Sequence, residues 1–152
     1  MKRFIFLLVT LIVATFCHAK SNAESYDYSM VGVAVAKEGY YLVEVSVLVT
    51  KKKDATLDTI KKYAIQGCLF KGFVVERISQ KPLLSSLNEV DEHRDFFENL
   101  LSERYADFTN STFPLQIIKV QKRYKCTAIV AVAKDALRKY LEEAGIIRKL
   151  GL

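Results

Sequence analysis

The sequence contains few of the residues that are typical of disordered proteins or of metal-binding proteins. Its 152 residues include six glycines and two prolines, with no low-complexity tract and no internal repeat. Such a chain can bury one ordinary hydrophobic core, which excludes extensive disorder. The chain has two histidines, and only His93 lies beyond residue 19, whereas a catalytic zinc site needs three protein ligands, commonly with more than one histidine or cysteine. We therefore predict no metal and no cofactor.

The N-terminal segment has the pattern of a secretory signal peptide. Lys2 and Arg3 precede an uncharged apolar run over residues 4–16. That run is shorter than the roughly 20 residues of a membrane-spanning helix. Small residues fit signal peptidase cleavage after Ala19 or after Ala23. We predict cleavage after Ala19, which makes residues 1–19 the signal peptide.

Two other interpretations of this segment stay open. Lipidation at Cys17 would anchor the protein, although the bulky Phe16 stands where a lipoprotein signal has a small residue. An uncleaved anchor is the third possibility. Cleavage predicts an exported protein of the periplasm or cell surface, with a flexible leader over residues 20–27 and a single α+β domain over residues 28–152. The mature form is not expected to span a membrane.

The mature chain is only mildly basic. Without Lys2 and Arg3, 21 basic and 17 acidic residues remain, a net charge of +4. This balance does not indicate a nucleic-acid partner. Four basic residues nevertheless form a local cluster: Lys119, Lys122, Arg123 and Lys125. The cluster predicts a patch for an acidic protein or an anionic envelope component, and the alternative is a solvated sheet edge whose lysines discourage aggregation.

Alternating apolar residues predict four strands. Residues 31–36 and 41–50 form a hairpin around the turn at residues 37–40. Residues 113–133 hold two further strands or one long bent strand. In the second half of that segment, Lys125 and Thr127 are polar and share one face of the strand. The opposite face is therefore predicted to pack against the core. Residues 73–88 are hard to place, with a short strand and then a loop after Pro82.

Helical periodicity predicts three helices. The first has an apolar stripe ending at Cys68, begins at Asp54 or Thr56, and ends at Gly67 or Gly72. The second covers residues 89–102 and has an acidic face. The third begins at Asp135 and stops at Gly145, and its predicted inward residues are Ala136, Leu137, Tyr140, Leu141 and Ala144. The order β-β-α-α-β-β-α indicates an α+β fold, an antiparallel sheet of about four strands with helices packed on one face.

Cys68 and Cys126 are the cysteines left after cleavage. Both are predicted to face the core, so they form either one disulfide or two separate buried thiols. A catalytic Cys68 would need His93, the remaining histidine, as its base. The apolar neighbours of Cys68 favour a packed core residue instead. His93 with Glu89, Glu92 and Asp95 could suggest a metal site, but a solvated acidic helix face explains these residues as well.

Four segments resemble small exported proteins of Gram-negative bacteria: KKYAIQGCLFKGF, QKPLL, HRDFFENLLSERYADF and YKCTAIVAVAKDALRKYLEEAGI. The resemblance covers most of the mature chain and implies an envelope location, but no catalytic residues. The last segment is also similar to small α+β modules of envelope assembly proteins. We predict a non-enzymatic binding or assembly accessory with an unknown protein or anionic partner. The alternatives are a small thiol enzyme using Cys68 and His93, and a secreted inhibitor or ligand carrier.

Overall fold

The computed structural model describes residues 27–37, 39–86, 88–111 and 113–149. The predicted signal peptide, and the predicted leader up to residue 26, lie outside the described residues. The elements in chain order are β1 Asp27–Lys37, β2 Tyr40–Val49, α1 Leu57–Gln66, β3 Phe73–Val75, β4 Ile78–Gln80, α2 Asn88–Glu92, α3 Arg94–Ser102, β5 Thr109–Ser111, β6 Gln116–Val120, β7 Arg123–Ala133 and α4 Lys134–Glu143.

Five strands form one antiparallel sheet, which confirms the predicted α+β class. β1 pairs with β2, and β2 pairs with β7. The far side of β7 is shared by β6 along its first half and β5 along its second half. The predicted sheet of about four strands thus has five. The predicted order also gains the separate β3–β4 hairpin after the first helix and the short strand β5 before β6.

One face of the central strands packs against the core and is buried except at its ends, where Tyr41 and Tyr124 are half-buried. Alternate residues of β2 and β7 point to the same side, because the period of a strand is two. Helix α1 packs against both strands there. The predicted face assignment is confirmed, and the buried side chains are Val43, Val45, Val47, Val49, Cys126, Ala128, Val130 and Val132.

Helix α1 shows which of the predicted boundary residues act as caps. The Oγ1 atom of Thr56 accepts a hydrogen bond from the Thr59 amide at 3.1 Å, so Thr56 is the N-cap. The helical path continues past Gly67 as a π-helical turn to Lys71. A Cβ at Gly67 would overlap Met30 Sδ, so this glycine permits close packing on β1. Gly72, with φ of 71°, ends the segment.

Two helix predictions need correction. The predicted helix over residues 89–102 is divided at His93, which leaves helical geometry with φ of −121° and ψ of 36°. The His93 carbonyl still accepts a hydrogen bond from the Phe97 amide at 3.2 Å, so α3 begins anew there. In α4, Ala136 and Ala144 are exposed, contrary to prediction, because the buried stripe runs through Lys134, Leu137 and Leu141 instead.

Candidate binding surface

The β6–β7 hairpin holds the four basic residues predicted as a patch. β6 pairs antiparallel with the first half of β7, which places Ile118 opposite Lys125 and Val120 opposite Arg123. Lys122 lies in the turn between the strands. The strand register therefore brings the predicted residues together, and all of them are exposed: Lys119, Lys122, Arg123 and Lys125.

β6 exposes aliphatic side chains on both of its faces. Ile118 and Val120 lie on the outer sheet face and are 59% and 42% exposed. Ile117 lies on the opposite face, in register with buried Cys126, and is itself 42% exposed. The alternation in the sequence predicts a strand here but gives no sign that its core-side face is uncovered. β6 is exposed because it lies at the sheet edge, with none of its residues buried.

A second group of lysines lies at the same end of the sheet. Val49, the last residue of β2, is in register with Tyr124, so the chain leaves β2 beside the start of β7. Three exposed lysines follow directly at residues 51–53. Sequence analysis missed this grouping because the two stretches are far apart in the chain and only the β2–β7 pairing joins them. We call the combined set the basic end: Lys51, Lys52, Lys53, Lys119, Lys122, Arg123 and Lys125.

Positive charge predominates at the basic end. Asp27 forms an ion pair with it, through Oδ2 at 3.8 Å from Arg123 Nη1, and Asp54 follows Lys53 in the chain. Both side chains of that pair are exposed, so the pair contributes little. The sequence has no acidic residue from position 113 to position 134. A cationic surface with exposed aliphatic groups therefore remains.

A shallow groove of about 420 Å³ borders the basic end. Val120 and Lys125 of the hairpin line the groove on one side. Asp27 of β1 and Leu48 of β2 also line it. The strand register places Asp27, Leu48, Lys125 and Ile118 in one row across the outer face. The groove is mainly apolar, so the basic end combines cations with an apolar recess.

Cys68 does not have the surroundings of a nucleophile. Its side chain is fully buried in the hydrophobic core. Burial raises the pKa of the thiol to about 12, and the nearby Lys134 ammonium lowers it only in part. A thiol with this pKa is protonated at neutral pH, whereas catalysis needs the thiolate. His93 lies in a surface depression lined by residues 91–96, and Cys68 is not among those residues.

Lys134 is the buried cation that sequence analysis did not identify. Its ammonium donates to the Lys81 carbonyl at 2.8 Å and to Gln80 Oε1 at 3.4 Å, which ties α4 to the β3–β4 hairpin. Burial lowers the pKa of Lys134. The two oxygen partners give this residue a structural role. No local pattern predicts that Lys134 is buried. A lysine that directly follows an apolar run such as β7 would be expected to lie in solvent.

The two cysteines are buried and present as free thiols. Burial also raises the pKa of Cys126. The disulfide between Cys68 and Cys126 stays a prediction for the oxidised, exported protein.

Two of the acids near His93 have other partners. Glu89 accepts a hydrogen bond from Ser85 at 3.0 Å, and Asp91 pairs with Arg94 at 3.4 Å. Within the ranges given above, no three histidine, cysteine or acidic side chains are grouped so as to hold a metal ion. The structure therefore offers no support for the metal interpretation of His93, Glu92 and their neighbours.

Comparisons with protein-family models, with curated protein sequences and with solved structures returned no match to this chain. Within the part of the chain that the structure describes, no helix has both the length and the apolar character needed to cross a bilayer.

Proposed function

We propose that this protein is a non-enzymatic binding or assembly accessory of the bacterial envelope, and that the basic end is its contact surface. One observation carries the proposal: seven exposed cations and the exposed aliphatic side chains of β6 are grouped at one end of the sheet, and the Asp27–Arg123 ion pair there is weak. Large aliphatic groups clustered on a charged surface are typical of interaction sites. The unbalanced positive charge selects an anionic partner.

The interior of the protein supports this function better than the thiol-enzyme alternative. Cys68 is held in its protonated form by burial, with a pKa of about 12. The ligand-carrier alternative would need an enclosed apolar cavity. The groove beside Val120 and Lys125 is instead open to solvent, as expected for a docking surface.

The proposal is tested by envelope fractionation in the native host. Wild-type protein should sediment with washed envelopes at low salt and be released as salt screens its charges. Lys119→Glu/Lys122→Glu should lose most of this retention. The matched control Lys139→Glu/Lys149→Glu makes the same change of charge on exposed residues of α4 and the segment after it. Equal retention of the two variants would contradict the proposal.

Export is a separate part of the proposal. Mass spectrometry of the protein from its native host should find an N-terminus at Lys20 or Glu24. A diacylglyceryl group on Cys17 would instead show that the protein is lipid-anchored, and an intact Met1 would contradict cleavage.

A further inference from the structure

We infer that the basic end docks on the surface of an anionic lipid bilayer, with Ile118 and Val120 in the head-group region and the lysines at the lipid phosphates. The inference rests on the proposed function and deepens it by naming the partner. Aliphatic and cationic side chains that alternate on one exposed element are the combination that interfacial binding requires. Apolar burial and attraction to anionic lipid then act together.

The distribution of apolar residues on β6 favours lipid over a folded protein partner. Ile117 points to one face of the sheet, while Ile118 and Val120 point to the other. A rigid partner that packs on one face would leave the other aliphatic group in water. A lipid interface can surround the strand and remove both faces from water.

The neighbouring cations suit the same partner. Lys119 shares one face of β6 with Ile117, and Lys125 lies directly across from Ile118 on the outer face. Lysine has a long apolar stem, so its ammonium can reach a phosphate while the stem lies along the apolar groups. The cations of the basic end are exposed and spread over β6, β7, the turn between them and the segment after β2, which matches a fluid anionic surface better than one defined acidic site.

The row across the outer face extends this surface beyond the hairpin. Leu48 of β2 lies beside Lys125, and the groove of about 420 Å³ separates Leu48 from Val120. The apolar recess is therefore flanked by a cation. The surface in contact with the bilayer therefore includes the outer face of the hairpin and the end of β2, together with Ile117 on the other face of β6.

The test measures binding to vesicles of phosphatidylcholine alone and to vesicles that also contain phosphatidylglycerol. The protein is purified as its native host exports it. Every variant carries the same N-terminus, so any contribution of residues before Asp27 is common to all. Wild-type protein should bind the anionic vesicles, bind the neutral vesicles at least about tenfold more weakly, and lose affinity with added salt.

Two variants separate the roles of charge and apolar groups. Ile118→Ser/Val120→Ser retains every cation and should weaken binding to anionic vesicles by about tenfold or more, because two aliphatic side chains no longer leave water. Lys119→Glu/Lys122→Glu should weaken it further, since each cation near an anionic surface contributes about a fivefold effect. All four residues are exposed, so unchanged melting temperatures should show that both variants fold.

The outcomes distinguish this inference from the proposed function. If wild-type protein does not bind anionic vesicles, or if the serine variant binds like wild type, lipid docking is wrong. If the charge-reversal variant then still loses envelope retention, the proposed function stands with an acidic protein as partner. If neither assay responds to charge reversal, both are wrong.

Discussion

The two edges of the sheet expose similar aliphatic residues but differ in charge. At the β6 edge, exposed aliphatic groups are mixed with the lysines of the basic end. At the β1 edge, Val31, Val33 and Val35 are 56%, 48% and 46% exposed, and no charged residue occurs from position 28 to position 36. Exposed aliphatic strands alone therefore do not determine which class of partner a sheet edge binds. Charge is what gives the β6 edge a preference for one class of partner.

The edges also differ in how they avoid unwanted strand pairing. An unpaired strand edge is a template for aggregation, and proteins protect it with lysines or with bulges. The β6 edge has lysines. β1 has two interruptions of register, between Gly32 and Ala34 and between Val35 and Lys37. Lys71 also donates to the Tyr28 carbonyl at 3.2 Å. Lys119 in β6 and Lys122 in the adjoining turn thus protect that edge even while they supply part of the binding charge.

The largest effect on stability is expected in β2, one of the two central strands of the sheet. Val45 of β2 is fully buried, so Val45→Asp places an unpaired charge in the core and should unfold the domain or cost more than about 4 kcal/mol. Glu44→Lys is the control, because its side chain is exposed on the other face, and it should change stability by less than about 1 kcal/mol. Chemical denaturation measures both. Similar losses would contradict the face assignment.

A smaller loss should appear where β3 approaches β1. A Cβ at Gly32 would lie 2.5 Å from Val75 Cβ and 2.6 Å from the Val74 carbonyl oxygen. Gly32→Ala should therefore destabilise the fold by about 1–3 kcal/mol through overpacking. Val33→Ala, on an exposed neighbour, should cost less than about 0.5 kcal/mol. An unchanged melting temperature for Gly32→Ala would show that β3 packs less closely against β1 than these distances indicate.

The interior should behave as a core rather than as a third functional region. The pKa of Cys68 is raised by burial from its ordinary 9.0 to about 12 in the folded state. The folded protein therefore holds its proton longer than the unfolded chain does. This contribution to stability is complete below about pH 9 and is lost as the pH rises to about 12. Unfolding measured between pH 8 and pH 11 in wild type and Cys68→Ala should show a shallower pH dependence in the variant.

Thiol labelling tests whether Cys68 is a packed core residue or a reactive thiol. A bulky reagent should modify Cys68 slowly in native protein and quickly after denaturation, and a disulfide with Cys126 would show no free thiol until a reductant is added. Fast native labelling that disappears in His93→Ala would revive the thiol-enzyme interpretation.

The smallest expected effect concerns Asp27, the acid that pairs with Arg123 of the basic end. Asp27→Asn removes the ion pair with Arg123 and should tighten binding to anionic vesicles by about two- to fivefold. The melting temperature should remain unchanged, because both side chains are exposed. Asp91→Asn, on α2, makes the same change of charge and should leave vesicle binding unaltered. Weaker binding of Asp27→Asn would show that the acid belongs to the site.

Local periodicity was enough to predict the long elements of the fold. β2 and β7 each alternate over ten or more residues, so their buried faces could be identified directly. The three-residue strands β3, β4 and β5 are too short to give such a signal. The break at His93 was missed because the apolar pattern continues across it. Alanine gives a weak burial signal, which explains the wrong assignment of Ala136 and Ala144.

The candidate site could be predicted only in part, for a related reason. The hairpin lysines are neighbours in sequence, so their cluster was visible. Lys51, Lys52 and Lys53 join them only through the pairing of Val49 with Tyr124, and such a long-range register leaves no local pattern. The exposure of Ile117 likewise depends on β6 being an edge strand, which is a property of the assembled sheet.

The most direct test compares the two edges in one assay. Val31→Glu/Val33→Glu and Lys119→Glu/Lys122→Glu each put two acids on an exposed sheet edge, and retention on native envelopes is measured for both at low salt. We expect the β6-edge variant to be released, while the β1-edge variant stays bound to a larger extent. Release of the β1-edge variant alone, or equal retention of both, would contradict the claim that the basic end is the binding surface.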